Sequence, residues 1–368
     1  MCILMTNTKE YRKSGGHAMF SGYRMPAEWE RHQKTFLAWP VQSSMCYPED
    51  YEQVCKNYYI PLIEAIAEFE PLTLIINPQD IEHVPSLLED VRTPFAYPVE
   101  LLVIDHDDAW LRDNGPTFVV NQRSEIAGVN WEFNAWGGKY EPCTRDNELA
   151  AKLLNFYQIP QIDAGFVLEG GSIHTDGQGT LLTTEECLLN ANRNPDLSKE
   201  QIERLLRQYL NIVHIIWLEH GIHGDETDGH VDNMACFVAP WKVLIQVCDE
   251  PDDPNFAITQ CARARLANAV DARGQKIEVY EIPQPPARYF AGRRLTLSYL
   301  NFYFVNGGIV LPVFGGDAEK TDKLAIETLS RLCPDRRIRT IDGMAIIKEG
   351  GNVHCTTQQM PALKAEYE

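Results

Sequence analysis

The stretch "EGGSIHTDGQGTLLTT", Glu169 to Thr184, decides how this chain is read, because its first seven residues return as "EGGNVHC" at Glu349 to Cys355. A Gly pair leading into a short β-branched run marks a tight turn into a strand, so the shared Glu-Gly-Gly and His are first of all architectural. One copy ends in Thr175 and the other in Cys355. Architecture does not account for that difference.

Three further segments follow the same pattern: "GPTFVVNQRSEIAGVN" from Gly115, "DNMACFVAPWKVLIQV" from Asp232 and "LNFYFVNGGIVLPVF" from Leu300. Each reads as strand, tight turn, strand, and each is followed by a helical pattern and one more short strand. After the Gly170 hairpin come "LSKEQIERLLRQYL", with Ser198 and Gln201 in capping-box spacing, and "NIVHIIWL". After the Asp232 hairpin come "NFAITQCARARLANAVDA" and "KIEVYEI"; after the Leu300 hairpin, "DAEKTDKLAIETLSRL" and "IRTID".

The unit is therefore ββαβ. The early chain supplies a fifth unit through "TFLAWP", a helix over "YEQVCKNYYIPLIEAIAEF" and "LTLIIN", but lacks the first strand of its hairpin. The C-terminal "NVHCTT" is a first strand without a second. The prediction is a five-bladed α/β propeller of ββαβ repeats about a pseudo-fivefold axis, closed by pairing "NVHCTT" with "TFLAWP". Closure of that kind removes open sheet edges. Residues 19–368 then form one domain. Residues 1–18, with only a short apolar stretch at the start, read as a flexible extension rather than a signal peptide.

Composition narrows the partners. The 368 residues carry 33 basic and 52 acidic side chains, a net charge of −19, which argues against nucleic acid and anionic membrane and agrees with a small cationic partner. No apolar run reaches the roughly 18 residues of a membrane span. The ten cysteines include no C-x-x-C pair and read as reduced thiols of a cytoplasmic protein, one compatible with homo-oligomerisation.

In such a ring, the junction after each unit's last strand brings distant residues to one central place. The junctions are "DDAWLRDNG" (107–115), "LEGGSIH" (168–174), "HGDETDGHVDN" (223–233), "LTLSYLN" (295–301) and "KEGGNVHC" (348–355), and four of the five are rich in carboxylate, His or Cys. Cys355 would thus stand near His230, Asp113, Glu169 and Asp232. Three acids raise the pKa of a thiol unless a cation lies between them. A planar guanidinium is such a cation: carboxylates bind it in bidentate fashion, and its central carbon is an electrophile for sulfur.

"DDAWLRDNGPTF", "LEGGSIHTDGQGTLLTTEECLLNANRN", "HGDETDGHVDN", "YLNFYFVNGGIVLPVFG" and "EGGNVHCTTQQMP" together resemble the agmatine deiminases of the guanidine-modifying superfamily, from about Met25 to Pro361. The resemblance implies Cys355 as nucleophile and His230 as general acid and base. It implies Asp113 and Asp232 as guanidinium ligands, Glu169 as a group holding the guanidinium or His230, and Trp110 as pocket lining. It also implies hydrolysis of agmatine to N-carbamoylputrescine and ammonia through a covalent cysteine thiouronium, with no cofactor and no metal.

Agmatine ends in an ammonium where arginine carries a carboxylate. The acidic loop holding Asp225, Glu226 and Asp228 therefore favours agmatine, with Glu226 selected for the distal amine. The alternatives are a deiminase of free or peptidyl arginine and, in another class, a non-catalytic propeller used as a binding module. His174 and His354 read as scaffold, His220 and His223 as solvated loop residues, Asp107 and Asp108 as capping groups and Arg112 as a structural counter-ion. The nine cysteines other than Cys355 read as inert, and the glycines of 306–308 and 314–317 as turns.

Overall fold

The structure, a computed structural model, describes residues 3–5, 22–89, 91 and 94–363. It is a mixed α/β fold with several small sheets. Four sheets share one plan, an antiparallel hairpin whose second strand also pairs in parallel with a third. They join Thr117–Val120, Ile126–Glu132 and Gln161–Val167; then Ile173–Thr175, Thr180–Thr184 and His214–Leu218. The remaining two join Ala235–Ala239, Lys242–Val247 and Glu278–Pro283; then Tyr303–Val305, Gly308–Val313 and Arg337–Asp342.

Parallel neighbours need a crossover, and a helix provides it in each case. These helices are Thr144–Phe156, Lys199–Leu210, Pro254–Ala267 and Glu319–Leu332. The second starts at the expected capping box: Ser198 Oγ accepts from the Gln201 N–H at 3.3 Å, and the Ser198 N–H donates to Gln201 Oε1 at 2.7 Å. The middle strand Thr180–Thr184 is buried throughout, whereas the third strand Arg337–Asp342 is largely exposed.

The fifth sheet joins the two ends of the chain. Thr357–Pro361 runs antiparallel to His32–Ala38, which is parallel to Leu72–Ile76, itself parallel to Val99–Val103. The expected end-to-end pairing is present, but its strand starts later than "NVHCTT" suggested. Val353–Thr356 is a helical turn. Asn352 Oδ1 accepts from the Val353 N–H, and Asn301 Oδ1 from the N–H groups of His354 and Cys355. Side-chain acceptors thus take the donors that a ladder would have used.

Two other expectations change. The helix from Tyr51 is interrupted by a π turn over Cys55–Tyr59 before Ile60–Ala67 resumes. Pro61 lacks an N–H and its ring crowds the carbonyl four residues back, which a widened turn relieves. Of the proposed flexible extension, residues 1, 2 and 6–18 lie outside the described residues. Ile3–Met5 form a strand parallel to Val99–Val103, so for those three the expectation fails. No helix among the described residues is long and apolar enough to cross a membrane.

Candidate active site

Each junction between a third strand and the next hairpin contributes to one buried cluster. Asp113 lies in the helical turn Leu111–Asn114 after Val99–Val103, and Glu169 lies just past Leu168, which ends the run from Gln161–Val167. His230 and Asp232 flank the start of the turn Val231–Asn233, and Cys355 lies in the turn Val353–Thr356. Asn301 lies two residues before the hairpin that begins with Tyr303–Val305. The five sequence-predicted residues Cys355, His230, Asp113, Asp232 and Glu169 are all at most 5% exposed.

Gly171 marks the centre. A Cβ there would stand 2.6 Å from His230 Nδ1 and 2.9 Å from both Asp113 Oδ1 and Asp232 Oδ2, distances that real Cβ atoms do not show. Gly351, its counterpart in the other copy, would place a Cβ 2.5 Å from the Trp110 ring and 3.1 Å from Cys355 Sγ. The duplicated Glu-Gly-Gly therefore leaves room twice, once for the acid–His group and once for the thiol and its aromatic neighbour.

Burial and the Asp232 and Asp113 carboxylates push the Cys355 thiol well above the ordinary thiol range. Asp232 Oδ2 is 3.8 Å from Sγ, and Asn301 Nδ2 donates to Sγ at 3.1 Å. Asp113 is fixed from both sides: Oδ1 accepts from the Gly171 N–H and Oδ2 from Trp136 Nε1, each at 2.9 Å. Burial and the other two acids raise its pKa in spite of His230.

Burial works against a charged His230. The neighbouring Asp113 carboxylate, helped by Cys187 and Glu169, outweighs it and holds the imidazole well above its usual pKa. The ring lies 3.8 Å from Asp113 Oδ1 on one side and 3.8 Å from Glu169 Oε2 on the other. Neither ring nitrogen has a hydrogen-bond partner in the protein, nor have Glu169 Oε2 and Asp232 Oδ1. Buried polar atoms left unpaired cost about 1–3 kcal/mol each, so this set is built to meet a polar guest.

A supporting layer holds these groups. The buried Arg193 donates through Nε to Glu169 Oε1 at 2.6 Å and through Nη1 to Asp228 Oδ2 at 2.7 Å. Burial raises the pKa of Glu169, but His230 and Arg193 more than reverse that, and the carboxyl stays below its usual range. His354 bridges Asp232 Oδ2 at 2.9 Å and Glu28 Oε2 at 2.7 Å. His174 accepts from the Phe237 N–H, and burial lowers its pKa to about 4. Both histidines thus sit in the scaffold, with His354 also gripping a site carboxylate. Arg112 is the expected buried counter-ion, with Nη2 3.6 Å from Glu28 Oε2.

A pocket leads from solvent to this cluster. Trp110, Asp113, Trp136, Tyr140, Thr227 and Cys355 line it, and its carboxylates besides Asp113 are Asp108, Glu226 and Glu349. Asp107 behaves as a capping group, accepting from the Arg145 N–H at 2.8 Å. Asp108 caps as well, accepting from the Ala109 N–H at 2.7 Å, but it also lines the pocket, and burial together with Asp146 pushes its carboxyl up to about 7. Glu226 is present but engaged, Oε1 by Arg293 Nη1 and Oε2 by the Tyr140 hydroxyl at 3.1 Å. Glu349 gives one oxygen to the Cys46 N–H at 2.6 Å, while its buried Oε1 has no partner in the protein.

The sequence model of the Porphyromonas-type peptidyl-arginine deiminase family matches residues 24–361. The chain belongs to this family. Among family relatives, agmatine deiminase of Stutzerimonas stutzeri is 42% identical over 364 residues, covering 93% of this chain and 96% of its own. The solved agmatine deiminase of Enterococcus faecalis superposes with a TM-score of 0.86 at 34% identity, covering 96% of this chain and 100% of that one. A C. jejuni agmatine deiminase with substrate bound gives a TM-score of 0.83 at 28% identity, covering 94% and 99%.

Sequence reasoning missed Asn301, Trp136, Arg193, Asp108 and Glu349. Glu349 was the most accessible of these, because it opens the very phrase that identifies Cys355 and stands in the place Glu169 holds in the other copy. Arg193 lies inside "NANRN", but nothing in its spacing says that it reaches Glu169.

The resting thiol is expected to be protonated at neutral pH, since the thiolate is the reactive form and the surrounding acids disfavour it. Iodoacetamide alkylation of Cys355, followed by peptide mass spectrometry, should quicken about tenfold with each pH unit from neutrality through pH 9, without a plateau near neutrality. A plateau already complete at pH 7 would show that the thiol is activated in the free protein.

Proposed function

We propose that the chain hydrolyses the guanidinium group of agmatine, giving N-carbamoylputrescine and ammonia, with Cys355 as nucleophile and His230 as general acid and base. The observation that carries this reading is the convergence of Asp113, His230 and Asp232 over Gly171, with the Cys355 thiol alongside. We further propose that residues 19–368 form one domain in which the five sheets stand as blades about a common axis. The end-to-end strand pairing and the common origin of the site residues in the junctions support that arrangement.

A guanidinium held by Asp113 and Asp232 offsets the two charges that oppose the thiolate. The thiol proton then leaves to solvent, and Sγ attacks the guanidinium carbon to give a neutral tetrahedral adduct. His230, already charged, passes its proton to one amino group, which departs as ammonia and leaves a cationic S-alkylthiouronium on Cys355. Neutral His230 next takes a proton from water as the oxygen bonds to carbon. The adduct's hydroxyl then loses its proton as the carbon–sulfur bond breaks, releasing N-carbamoylputrescine and the Cys355 thiolate; that proton converts ammonia to ammonium, and the thiolate takes back a proton from solvent. Glu169, anchored by Arg193, orients His230, and the Asn301 amide steadies the sulfur.

No step in this scheme passes through a metal. Dialysis against a chelator is therefore expected to leave ammonia release unchanged, and activity lost to a chelator and restored by zinc or manganese would contradict the scheme.

Substrate choice follows from the pocket lining. Its charged side chains among the described residues are the carboxylates of Asp108, Asp113, Glu226 and Glu349. This lining suits a distal ammonium, whereas the α-carboxylate of free arginine would face these acids, with the neighbouring Arg293 already paired to Glu226. The discriminating assay is ammonia release from agmatine, free arginine and a blocked peptidyl arginine. Turnover of agmatine well above the other two is expected, and a preference for either arginine form would overturn the substrate assignment. No release from any of the three would favour the binding module.

Glu226 and Glu349 together frame the proposed amine end, and Glu349 has the oxygen available for it. A charge-assisted hydrogen bond is worth roughly 1.5–3 kcal/mol, so Glu349→Gln should lower kcat/KM for agmatine by about one to two decades. A guanidine of the same length with a neutral tail should be affected much less. Glu226→Gln should act in the same direction but more weakly, because Arg293 already occupies that carboxylate. Parallel losses on both substrates would mean that these residues do not read the amine.

A further inference from the structure

Cys187 stands beside His230 and Glu169 and has no part in the reaction scheme. It is fully buried in the turn Glu185–Leu188, and one ligand atom from each of Cys187, His230 and Glu169 lies within 4.8 Å of the other two. We propose that these three residues form an inhibitory binding site for Zn²⁺, or a similarly thiophilic divalent cation, distinct from the nucleophile Cys355.

The donor set suits that ion: a thiolate, an imidazole and a carboxylate are the ligand types of tetrahedral zinc. Bonds of about 2.0–2.3 Å place tetrahedral ligand atoms roughly 3.3–3.8 Å apart. His230 Nε2 and Glu169 Oε2 are already 3.8 Å apart, and both are buried without a hydrogen-bond partner in the protein. Glu169 is held in that pose from its other oxygen by Arg193 Nε at 2.6 Å, so little reorganisation is needed on the carboxylate side. Asp113 and Asp232 add negative charge around the imidazole, which favours a dication and offsets Arg193. The three protein ligands leave a fourth position for water.

A cation bound there would take His230 and Glu169 out of the deiminase reaction, and that consequence rests on the roles proposed above. Binding itself does not, so it is measured without substrate. Co²⁺ and then Zn²⁺ are titrated into chelator-treated, full-length Cys355→Ala and Cys187→Ala, and the thiolate-to-cobalt charge-transfer band and the zinc affinity are recorded. Cys355→Ala is expected to keep the band and bind one equivalent. Cys187→Ala should lose the band and bind zinc about a hundredfold more weakly or worse, as befits loss of a direct ligand. Zinc should inhibit ammonia release by the wild type, reversibly by chelator, with Cys187→Ala resistant to a matching degree.

A band retained in Cys187→Ala and lost in Cys355→Ala would place the metal on the nucleophile and overturn the proposal. So would the absence of stoichiometric binding to Cys355→Ala. Because that arm uses a variant with Cys187 intact, misfolding of Cys187→Ala does not shelter the proposal.

Discussion

Cys355→Ala is expected to abolish agmatine turnover, by about four to six decades in kcat, while the protein stays folded and still binds agmatine. Losses of that order follow when the nucleophile of a covalent mechanism is removed. Binding should survive because the capture of the cation is assigned to Asp113 and Asp232, neither of which depends on the sulfur for its position. Asp113 is fixed by the Gly171 N–H and Trp136 Nε1, and Asp232 by His354. Circular dichroism, calorimetric titration with agmatine and an ammonia assay test the three parts separately. Steady turnover by the Ala variant close to that of the wild type would remove Cys355 from the chemistry, and lost binding with an intact fold would mean that the thiol helps hold the substrate.

The second large effect is on capture. Asp113→Asn and Asp232→Asn should each lower kcat/KM for agmatine by about two to three and a half decades, the equivalent of 3–5 kcal/mol for removing one partner of a buried charge pair. Asp113→Asn carries an added penalty that can be read from its hydrogen bonds. Both carboxylate oxygens accept from N–H donors, so whichever way the new amide turns, its NH2 faces another donor. Asp232→Asn meets a milder conflict, because its bonded oxygen faces a histidine whose tautomer adjusts. The Asp113 variant is therefore expected to be the worse of the two. Near-normal efficiency in either variant would exclude that residue from guanidinium binding.

The repeated hairpins were legible in the sequence because each joins two β-branched runs through a turn rich in Gly, Asn or Pro, a local signal that survives without knowledge of the fold. The capping box at Ser198 is local in the same sense. Val353–Thr356 does not form the strand its sequence suggests because its conformation is set from 53 and 54 residues away, by Asn301 capturing the N–H groups of His354 and Cys355. The π turn at Cys55–Tyr59 needed only Pro61 to be weighed against a long helical pattern.

The site divides along the same line. Cys355, His230, Asp113, Asp232 and Glu169 carry chemically distinctive groups at equivalent positions of a repeat, so their convergence could be inferred. Asn301 ends the junction that looked poorest in functional groups, and an amide becomes informative only when a sulfur is seen 3.1 Å from it. Trp136 sits in a turn with φ of 54°, a left-handed conformation costly for a large side chain, and composition does not reveal where that turn points its indole N–H. Cys187 looked like any small buried hydrophobe until its distance to His230 was known.

The central claim is that the reaction passes through a covalent bond between Cys355 and the guanidinium carbon. Its most direct test is to mix wild-type protein with saturating agmatine, quench with acid during turnover, digest, and weigh the peptides by mass spectrometry. A thiouronium adduct, agmatine less ammonia, is expected on the peptide containing Cys355 and on no other cysteine peptide. An adduct on a different cysteine, or steady turnover in which the Cys355 peptide stays unmodified at every quench time, would contradict the claim.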